Sequence, residues 1–193
     1  MSAPNLTRDD AARRSSTIAV ENYVIDLDLT DGAGRPGTET FRSTSTVTFT
    51  ADADSSTFID IVAKSVVSAT LNGTDIDVSG YTEEDGITLS GLAAHNKLTV
   101  VADCLYSNTG EGLHRFVDPT DDSVYLYSQF ETADAKRMFA CFDQPDLKAT
   151  YDIAVTAPTD WVVISNAAPT DSEGAVSEGR DGRHTFATTE VLS

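Results

Sequence analysis

The fold class of this 193-residue chain is decided by the stretch Tyr23-Val24-Ile25-Asp26-Leu27-Asp28-Leu29. Apolar residues alternate along it with Val24, Asp26 and Asp28. Successive side chains of a β-strand point to opposite faces, so a period of two places one apolar face on a core and a mostly polar face toward water. The stretch therefore predicts a first strand that is half buried.

Short apolar segments separated by turn residues continue along the rest of the chain. The predicted strands are Phe41 to Phe49, Phe58 to Val62, Val66 to Leu71, Ile76 to Val78, Ile87 to Leu89, Lys97 to Ala102, Val124 to Ser128, Thr150 to Thr156, Val162 to Ser165 and His184 to Thr188. Asn72-Gly73 and Asp85-Gly86 are typical turn dipeptides, and Ser107 to Asp122 is predicted as a loop. Regular short strands with little helix predict an all-β protein, either a sandwich or a curved sheet.

Helix signals occur at two places. Thr7-Arg8-Asp9-Asp10 matches a capping box and predicts a short helical arm through about Arg14, within residues 1–15. A second short helix is predicted from Thr132 to Phe142, where Thr132 can cap a run of good helix formers. No repeat or linker divides the remainder, so residues 16–193 are predicted to form a single β domain.

Charge excludes two classes of partner. The chain has 31 acidic and 13 basic residues and a formal net charge of -18. Phosphate backbones and anionic lipid surfaces attract basic proteins, so neither nucleic acid nor a membrane is an expected partner.

The two cysteines, Cys104 and Cys141, are expected to be reduced, and the start Met1 to Asn5 lacks a signal-peptide pattern. We therefore expect a cytoplasmic protein.

Metal ligands at familiar spacings are scarce. His95, His114 and His184 lie far apart, and none has a partner at the spacing typical of zinc sites. Asp118, Asp121 and Asp122 lack the spacing of a calcium loop, which favours solvated or capping roles in turns. Asp143 precedes Gln144-Pro145 and is expected to accept amide hydrogen bonds from the following turn. A Cys141–His114 dyad remains open, although a small core residue is the favoured interpretation of Cys141.

Glu131 is the candidate functional residue. It follows an apolar strand, and Gln129 lies two residues earlier on the same side of the pleat, while Phe130 points the other way. A carboxylate and an amide oxygen side by side could receive the three donors of a primary ammonium. Charged residues at strand ends are usually solvated, so a surface or capping role is the alternative from the residues alone.

Four segments, in this order, resemble the zinc aminopeptidase N family, most closely its actinobacterial type. They are Ile18 to Leu29, Tyr106 to Phe116, Tyr125 to Asp146 and Asp160 to Asn166. The third contains a Gln-x-Glu at Gln129 to Glu131 and a Phe-Asp-Gln-Pro-Asp turn at 142–146. The resemblance implies a saddle-shaped, mostly antiparallel β domain. In it Glu131 would anchor the α-ammonium of a peptide substrate, Gln129 would line the site and Phe130 would pack behind them.

The same resemblance implies a zinc-dependent aminopeptidase as the parent protein. Its zinc would be held by an H-E-x-x-H helix and a distant glutamate, and a G-A-M-E-N loop would supply a second amine-binding glutamate. The 193 residues contain neither motif. The expected partners are the N-terminus of a peptide and a zinc catalytic domain further along the same chain, and the fragment itself is expected to bind no metal and to be inactive. The strand-like end of the sequence, Thr185 to Ser193, is interpreted as a boundary within a longer chain.

Two alternatives from other classes are retained. One is a freestanding β-sandwich that binds a ligand or a protein without catalysis, and the other is an independent hydrolase that uses Cys141. A domain of a larger enzyme should expose an apolar patch where its zinc domain docks, whereas a freestanding module should not.

Overall fold

The computed structural model describes residues 6–170 and 182–193. In that part of the chain there are one α-helix, one short 3-10 turn and eleven strands. The elements are α1 (Arg8–Thr17), β1 (Ile18–Asp28), β2 (Thr40–Ala51), β3 (Ser56–Ile59), β4 (Ser65–Leu71), β5 (Thr74–Ile76), β6 (Ile87–Ser90), β7 (His95–Leu105), β8 (Gly112–Val117), β9 (Val124–Gln129), the 3-10 turn Ala135–Arg137, β10 (Thr150–Thr156) and β11 (Arg183–Thr185).

Seven strands form one twisted layer in the order β11-β10-β1-β2-β7-β4-β5. The pair β1–β10 is parallel, and the other pairs in the described residues are antiparallel. Two further two-stranded sheets, β3–β6 and β8–β9, are also antiparallel. The prediction of an all-β, mainly antiparallel, sandwich-like fold is confirmed.

The period of two in the first strand is confirmed by burial. Tyr23, Ile25, Leu27 and Leu29 are buried, and Val24 is exposed. On the same face of the sheet, Phe49 of β2 meets the ring of Phe142 edge-on, with centroids 5.2 Å apart. The core thus lies between the seven-stranded sheet and a cover that includes β3, β6 and residues 139–149.

The helical arm starts where the capping box predicts. The Thr7 hydroxyl accepts the Asp10 N–H at 3.2 Å, and α1 then runs to Thr17, beyond the predicted end at Arg14. Arg14, in the last turn of α1, is buried. Contacts with distant parts of the chain therefore stabilise this turn, and local sequence patterns do not predict such contacts. α1, the sole α-helix of the described residues, is neither long nor apolar enough to cross a membrane.

The predicted helix from Thr132 to Phe142 is wrong, because a single 3-10 turn at Ala135–Arg137 takes its place. Backbone groups that a helix would pair internally are paired with residues 60–62, which follow β3. Cys141 exchanges two backbone hydrogen bonds with Asp60, at 2.9 and 3.1 Å, and the Val62 N–H donates to the Lys136 carbonyl at 2.8 Å. These long-range bonds satisfy the backbone and override helix propensity.

The predicted loop Ser107 to Asp122 is also corrected, since it contains β8. Residues 112–117 pair along their whole length with β9. Gly110 and Gly112, whose φ angles are 95° and 64°, form the bend that leads into the strand.

The predicted strand Val162 to Ser165 does not form. Its apolar side chains Val162 and Ile164 are 69% and 72% exposed. The preceding strand β10 is flanked by β1 on one side and β11 on the other, so no free edge beside β10 is open to this segment. The remaining predicted strands form with shifted ends.

Candidate functional site

Glu131 stands two residues beyond the end of β9, at the start of a tight turn that we call the Glu131 turn (residues 130–138). β9 reaches this position as one arm of the β8–β9 hairpin, in which Gln129 is paired with Gly112. The Glu131 side chain is exposed. It lines a cavity of about 480 Å³ whose other walls come from the Phe142 to Pro145 segment, β10 and residues 189–193. The site is therefore an open pocket with one carboxylate at its rim.

Gln129 lies next to Glu131 in a specific arrangement. Its side-chain carbonyl oxygen accepts the backbone N–H of Glu131 at 2.7 Å, and the Glu131–Thr132 peptide is cis. Gln129 is absent from the walls of the cavity, unlike Glu131. The structure thus brings the Gln129 side chain to the backbone of Glu131, which its amide oxygen holds. An amide oxygen has a second lone pair, which leaves one acceptor position open.

Phe130 packs against the core beneath the turn and also lines the cavity beside Glu131. Its ring meets Phe139 edge-on at 5.9 Å between centroids, and Phe139 meets Tyr151 at 6.3 Å. Tyr151 in turn stacks on Tyr23 of β1 at 5.1 Å. A chain of aromatic contacts therefore ties the base of the Glu131 turn to the main sheet.

Asp143 is a second carboxylate on the cavity wall, and the sequence did not single it out for this role. It accepts the Lys136 N–H at 3.3 Å, and its own N–H donates to the Asp60 carboxylate at 3.1 Å. The expectation that it would accept amides of the following turn is corrected, because it caps the preceding 3-10 turn. Burial raises the pKa of Asp143 to about 6, against the lowering effects of the Lys136 amide and charge.

The described residues do not fit a zinc site. Across residues 6–170 and 182–193, no three His, Cys, Asp or Glu side chains cluster in a way that could hold a metal ion. Asp118 and Asp121 accept the N–H groups of Thr120 and Ser123 at 2.8 and 2.9 Å, as capping residues of turns.

Cys141 is not an activated thiol. It is buried and free, as is Cys104, and desolvation raises the pKa of Cys141 well above its ordinary value. A nucleophilic cysteine requires the opposite shift. His114 lies in the hairpin, where its Nδ1 accepts the Gly110 N–H at 3.1 Å and its ring packs against that of Tyr127 at a tilt of 31°.

An apolar surface lies beside the hairpin. Tyr125, Tyr127, Val162 and Ile164 are all more than half exposed, and all line one groove of about 760 Å³. Large side chains exposed together, as distinct from scattered ones, mark a surface that is suited to interaction.

Comparison with known proteins gives a consistent assignment. Residues 20–193 match the family described as the Peptidase M1 N-terminal domain. The chain is 51% identical over 180 residues to an aminopeptidase N of Streptomyces lividans, an alignment that covers 92% of this chain and 21% of that protein. Shorter matches include aminopeptidase N of Acetobacter pasteurianus, 44% identical over 70 residues (35% of this chain, 19% of that protein). Aminopeptidase N of Bos taurus is 33% identical over 86 residues (40% and 8%).

The chain spans about a fifth of the length of the Streptomyces relative. Its family match covers residues 20–193, which include the Glu131 turn and the seven-stranded sheet except for the first two residues of β1. The chain belongs to the M1 peptidase family, as an M1 N-terminal domain.

Proposed function

We propose that this chain is the amine-anchoring N-terminal domain of a zinc-dependent aminopeptidase that removes N-terminal amino acids from peptides. The carboxylate of Glu131 receives the α-ammonium of the substrate, and Gln129 borders the site by holding the Glu131 N–H with its amide oxygen. The observation that carries the proposal is the exposed carboxylate at the mouth of a preformed cavity, on a backbone held by Gln129.

The chemistry of the site suits an ammonium. A carboxylate accepts hydrogen bonds only, and a charge-assisted N–H···O bond is roughly twice as strong as a neutral one. Such a bond strengthens further when water leaves the site. An anchor at a set distance from the reacting bond would limit cleavage to the first peptide bond, because positioning contributes much of the catalytic gain.

Zinc is assigned to another part of the parent protein. The relatives from Streptomyces lividans and Bos taurus are aminopeptidases several times longer than this chain, and the described residues lack a ligand set for the metal. When bound, zinc would supply an activated water and polarise the scissile carbonyl. Its domain and the peptide N-terminus are the two proposed partners.

The isolated 193 residues are proposed to have no activity. A cytoplasmic location is proposed, and the free, buried cysteines are compatible with it.

The apolar surface beside the hairpin favours this proposal over a freestanding binding module. We expect a module that functions alone to bury large apolar side chains, whereas Tyr125, Tyr127, Val162 and Ile164 are exposed in one groove. A domain that packs against another part of its own chain is expected to expose such a surface.

The test is the replacement Glu131→Ala in the full-length enzyme. We expect kcat/KM for unblocked peptides to fall roughly 10- to 100-fold, the worth of one charge-assisted hydrogen bond in the transition state. Steady-state kinetics with a dipeptide measures the change. Glu84→Ala is the matched control, because Glu84 is an exposed glutamate in the turn before β6. Near-normal kinetics for Glu131→Ala would reject the anchoring role.

A further inference from the structure

We propose that Arg137 is a positioning residue that sets the direction of the Glu131 carboxylate by bracing the Glu131 turn against the first residue of β8. The inference rests on the proposed anchoring role of Glu131. Arg137 does not line the cavity, so its effect on substrate would pass through the backbone of the turn and hairpin.

The guanidinium of Arg137 binds another residue of the Glu131 turn, Asp134. Its Nε donates to Asp134 Oδ1 at 2.7 Å, with side chains that are 22% and 19% exposed. The Asp134 N–H donates to the Phe130 carbonyl at 3.0 Å, and the Arg137 N–H donates to the Asp134 carbonyl at 3.1 Å. Asp134 is thereby bound on one side to the residue before Glu131 and on the other side to Arg137.

The aliphatic stem of Arg137 holds the turn against the hairpin. A Cβ added to Gly112 would lie 2.6 Å from Arg137 Cβ and 3.2 Å from its Cδ, so the arginine stem fills the space that the glycine leaves open. Gly112 has a φ of 64°, which also favours glycine. The Arg137 Nη2 lies 3.6 Å from Glu111 Oε2, and this places its charge on the bend that leads into β8.

These contacts form a closed network that starts and ends at Arg137 and includes the backbone next to Glu131. Gly112 pairs with Gln129 across the hairpin, and the Gln129 amide oxygen holds the Glu131 N–H at 2.7 Å. One path therefore reaches Glu131 from Arg137 through Gly112 and Gln129, and another through Asp134 and Phe130. With both paths in place, the peptide that joins Phe130 to Glu131 is held at its carbonyl by Asp134 and at its N–H by Gln129.

Loss of the Arg137 contacts should make the position of the Glu131 carboxylate more variable, although the carboxylate itself remains. A network of this kind prevents the turn from tilting relative to β9, and errors of about 1 Å in an anchoring group can cost about 100-fold in rate. The expected defect is therefore in the use of the substrate ammonium, with the cavity and the fold retained.

The experiment is Arg137→Met in the full-length aminopeptidase, with and without Glu131→Ala. Methionine keeps much of the stem on Gly112 and removes the guanidinium. We expect kcat/KM for an unblocked dipeptide to fall roughly 10-fold or more, mainly through KM. In the Glu131→Ala background Arg137→Met should have little further effect, because both changes act on one interaction.

A second variant and a control separate positioning from simple destabilisation. Asp134→Asn keeps Arg137 and removes the charge of its partner, so it should lower kcat/KM in the same direction by a smaller factor. Arg115→Met is the control, since Arg115 is an arginine of the same hairpin that donates to the Gly37 carbonyl. A further readout is inhibition by a free amino acid compared with its des-amino analogue, and only the former should weaken in Arg137→Met.

The outcomes are distinguishable. If Glu131→Ala is nearly normal, the anchoring role itself fails and the inference falls with it. If Glu131→Ala is impaired but Arg137→Met is normal, or reduces kcat/KM by the same factor in both backgrounds, the anchoring role stands and the positioning role is rejected. Equal weakening of the amino acid and its des-amino analogue would also overturn the positioning role.

Discussion

Two serines on one face of β2, Ser43 and Ser45, are equally buried but differ in whether the hydroxyl has a hydrogen-bond partner. Ser43 and Ser45 are both buried among apolar neighbours. The Ser45 hydroxyl donates to the Ala140 carbonyl at 2.7 Å, which ties the sheet to the segment that follows the Glu131 turn. The Ser43 hydroxyl has no hydrogen-bond partner among the described residues.

The replacement Ser45→Ala should therefore lower the free energy of unfolding by about 1 to 2 kcal/mol, because it leaves a buried carbonyl unpaired. Ser43→Ala should change the free energy of unfolding by no more than about 0.5 kcal/mol, since it removes a hydroxyl that is already unpaired. Urea denaturation of the two variants measures both values. Equal losses in the two variants would contradict the role given to the Ala140 bond.

Asp143 predicts a pH dependence of stability that has the opposite sign to the usual carboxylate. Burial, together with the nearby carboxylates of Asp60 and Asp134, raises its pKa from 3.8 to about 6 against the lowering effects of the Lys136 amide and charge. Between these two pH values the folded state binds more protons than the unfolded state. The contribution of this group to the free energy of unfolding therefore decreases as pH rises from about 4 to about 6 and is constant above that.

The variant Asp143→Asn lacks this titration and keeps an acceptor for the Lys136 N–H. We expect its stability relative to the unmodified protein to improve as pH rises through this window. Urea denaturation at pH 4.5 and at pH 7 gives the comparison. Parallel pH profiles for the two proteins would show that Asp143 titrates at an ordinary carboxylate pKa.

At the scale of elements, the short strand β6 is bounded by two glycines in equivalent conformations. Gly86 and Gly91 both have φ of 63°. A Cβ on Gly86 would lie 2.3 Å from the Ile59 carbonyl oxygen of β3, whereas a Cβ on Gly91 would meet nothing within 4 Å. Gly86 therefore allows β3 and β6 to approach, and Gly91 supplies only the backbone angle.

We expect Gly91→Ala to destabilise the domain by about 1 kcal/mol, the cost of a left-handed conformation for alanine. Gly86→Ala should cost about 3 kcal/mol, because a backbone contact must also shift. Thermal denaturation of the pair tests the difference. Similar melting temperatures would mean that the β3–β6 pair moves apart at little cost.

At the scale of the whole molecule, Arg14 joins parts of the chain that are distant in sequence. Its side chain is 2% exposed and lies 2.7 Å from the Asp60 carboxylate, and its Nε donates to the Gln144 amide oxygen at 3.1 Å. The guanidinium also lies over the rings of Phe58 and Phe142, 4.7 and 5.7 Å from their centroids. The arm α1 is thereby part of the folded core.

Arg14→Met should destabilise the domain by about 3 kcal/mol or more, because it leaves the partly buried Asp60 without its cation. The neighbouring Arg13 is 73% exposed and pairs with Asp10 on the same helix, so Arg13→Met should cost no more than about 0.5 kcal/mol. Urea denaturation measures the two values. If both variants lose equally little, α1 is an appendage of the domain and not part of its core.

Some of this architecture was determined by the sequence itself. The alternation from Tyr23 to Leu29 predicts which face of β1 is buried, because the pleat of a strand assigns faces from local order alone. The capping box predicts the start of α1 for the same reason, since its hydrogen bonds join residues three apart. The candidate carboxylate Glu131 was also identified from its place after an apolar strand, and its role as an anchor stays a prediction.

The tertiary structure alone decided the features whose hydrogen-bond partners are distant in sequence. Residues 132–142 abandon a helix because their backbone pairs with residues 60–62, and β8 forms because β9 offers a full-length partner. Arg137 fills the space above Gly112, the first residue of β8. Local sequence carries propensity and periodicity, whereas these outcomes depend on which donors, acceptors and free volumes the rest of the fold supplies.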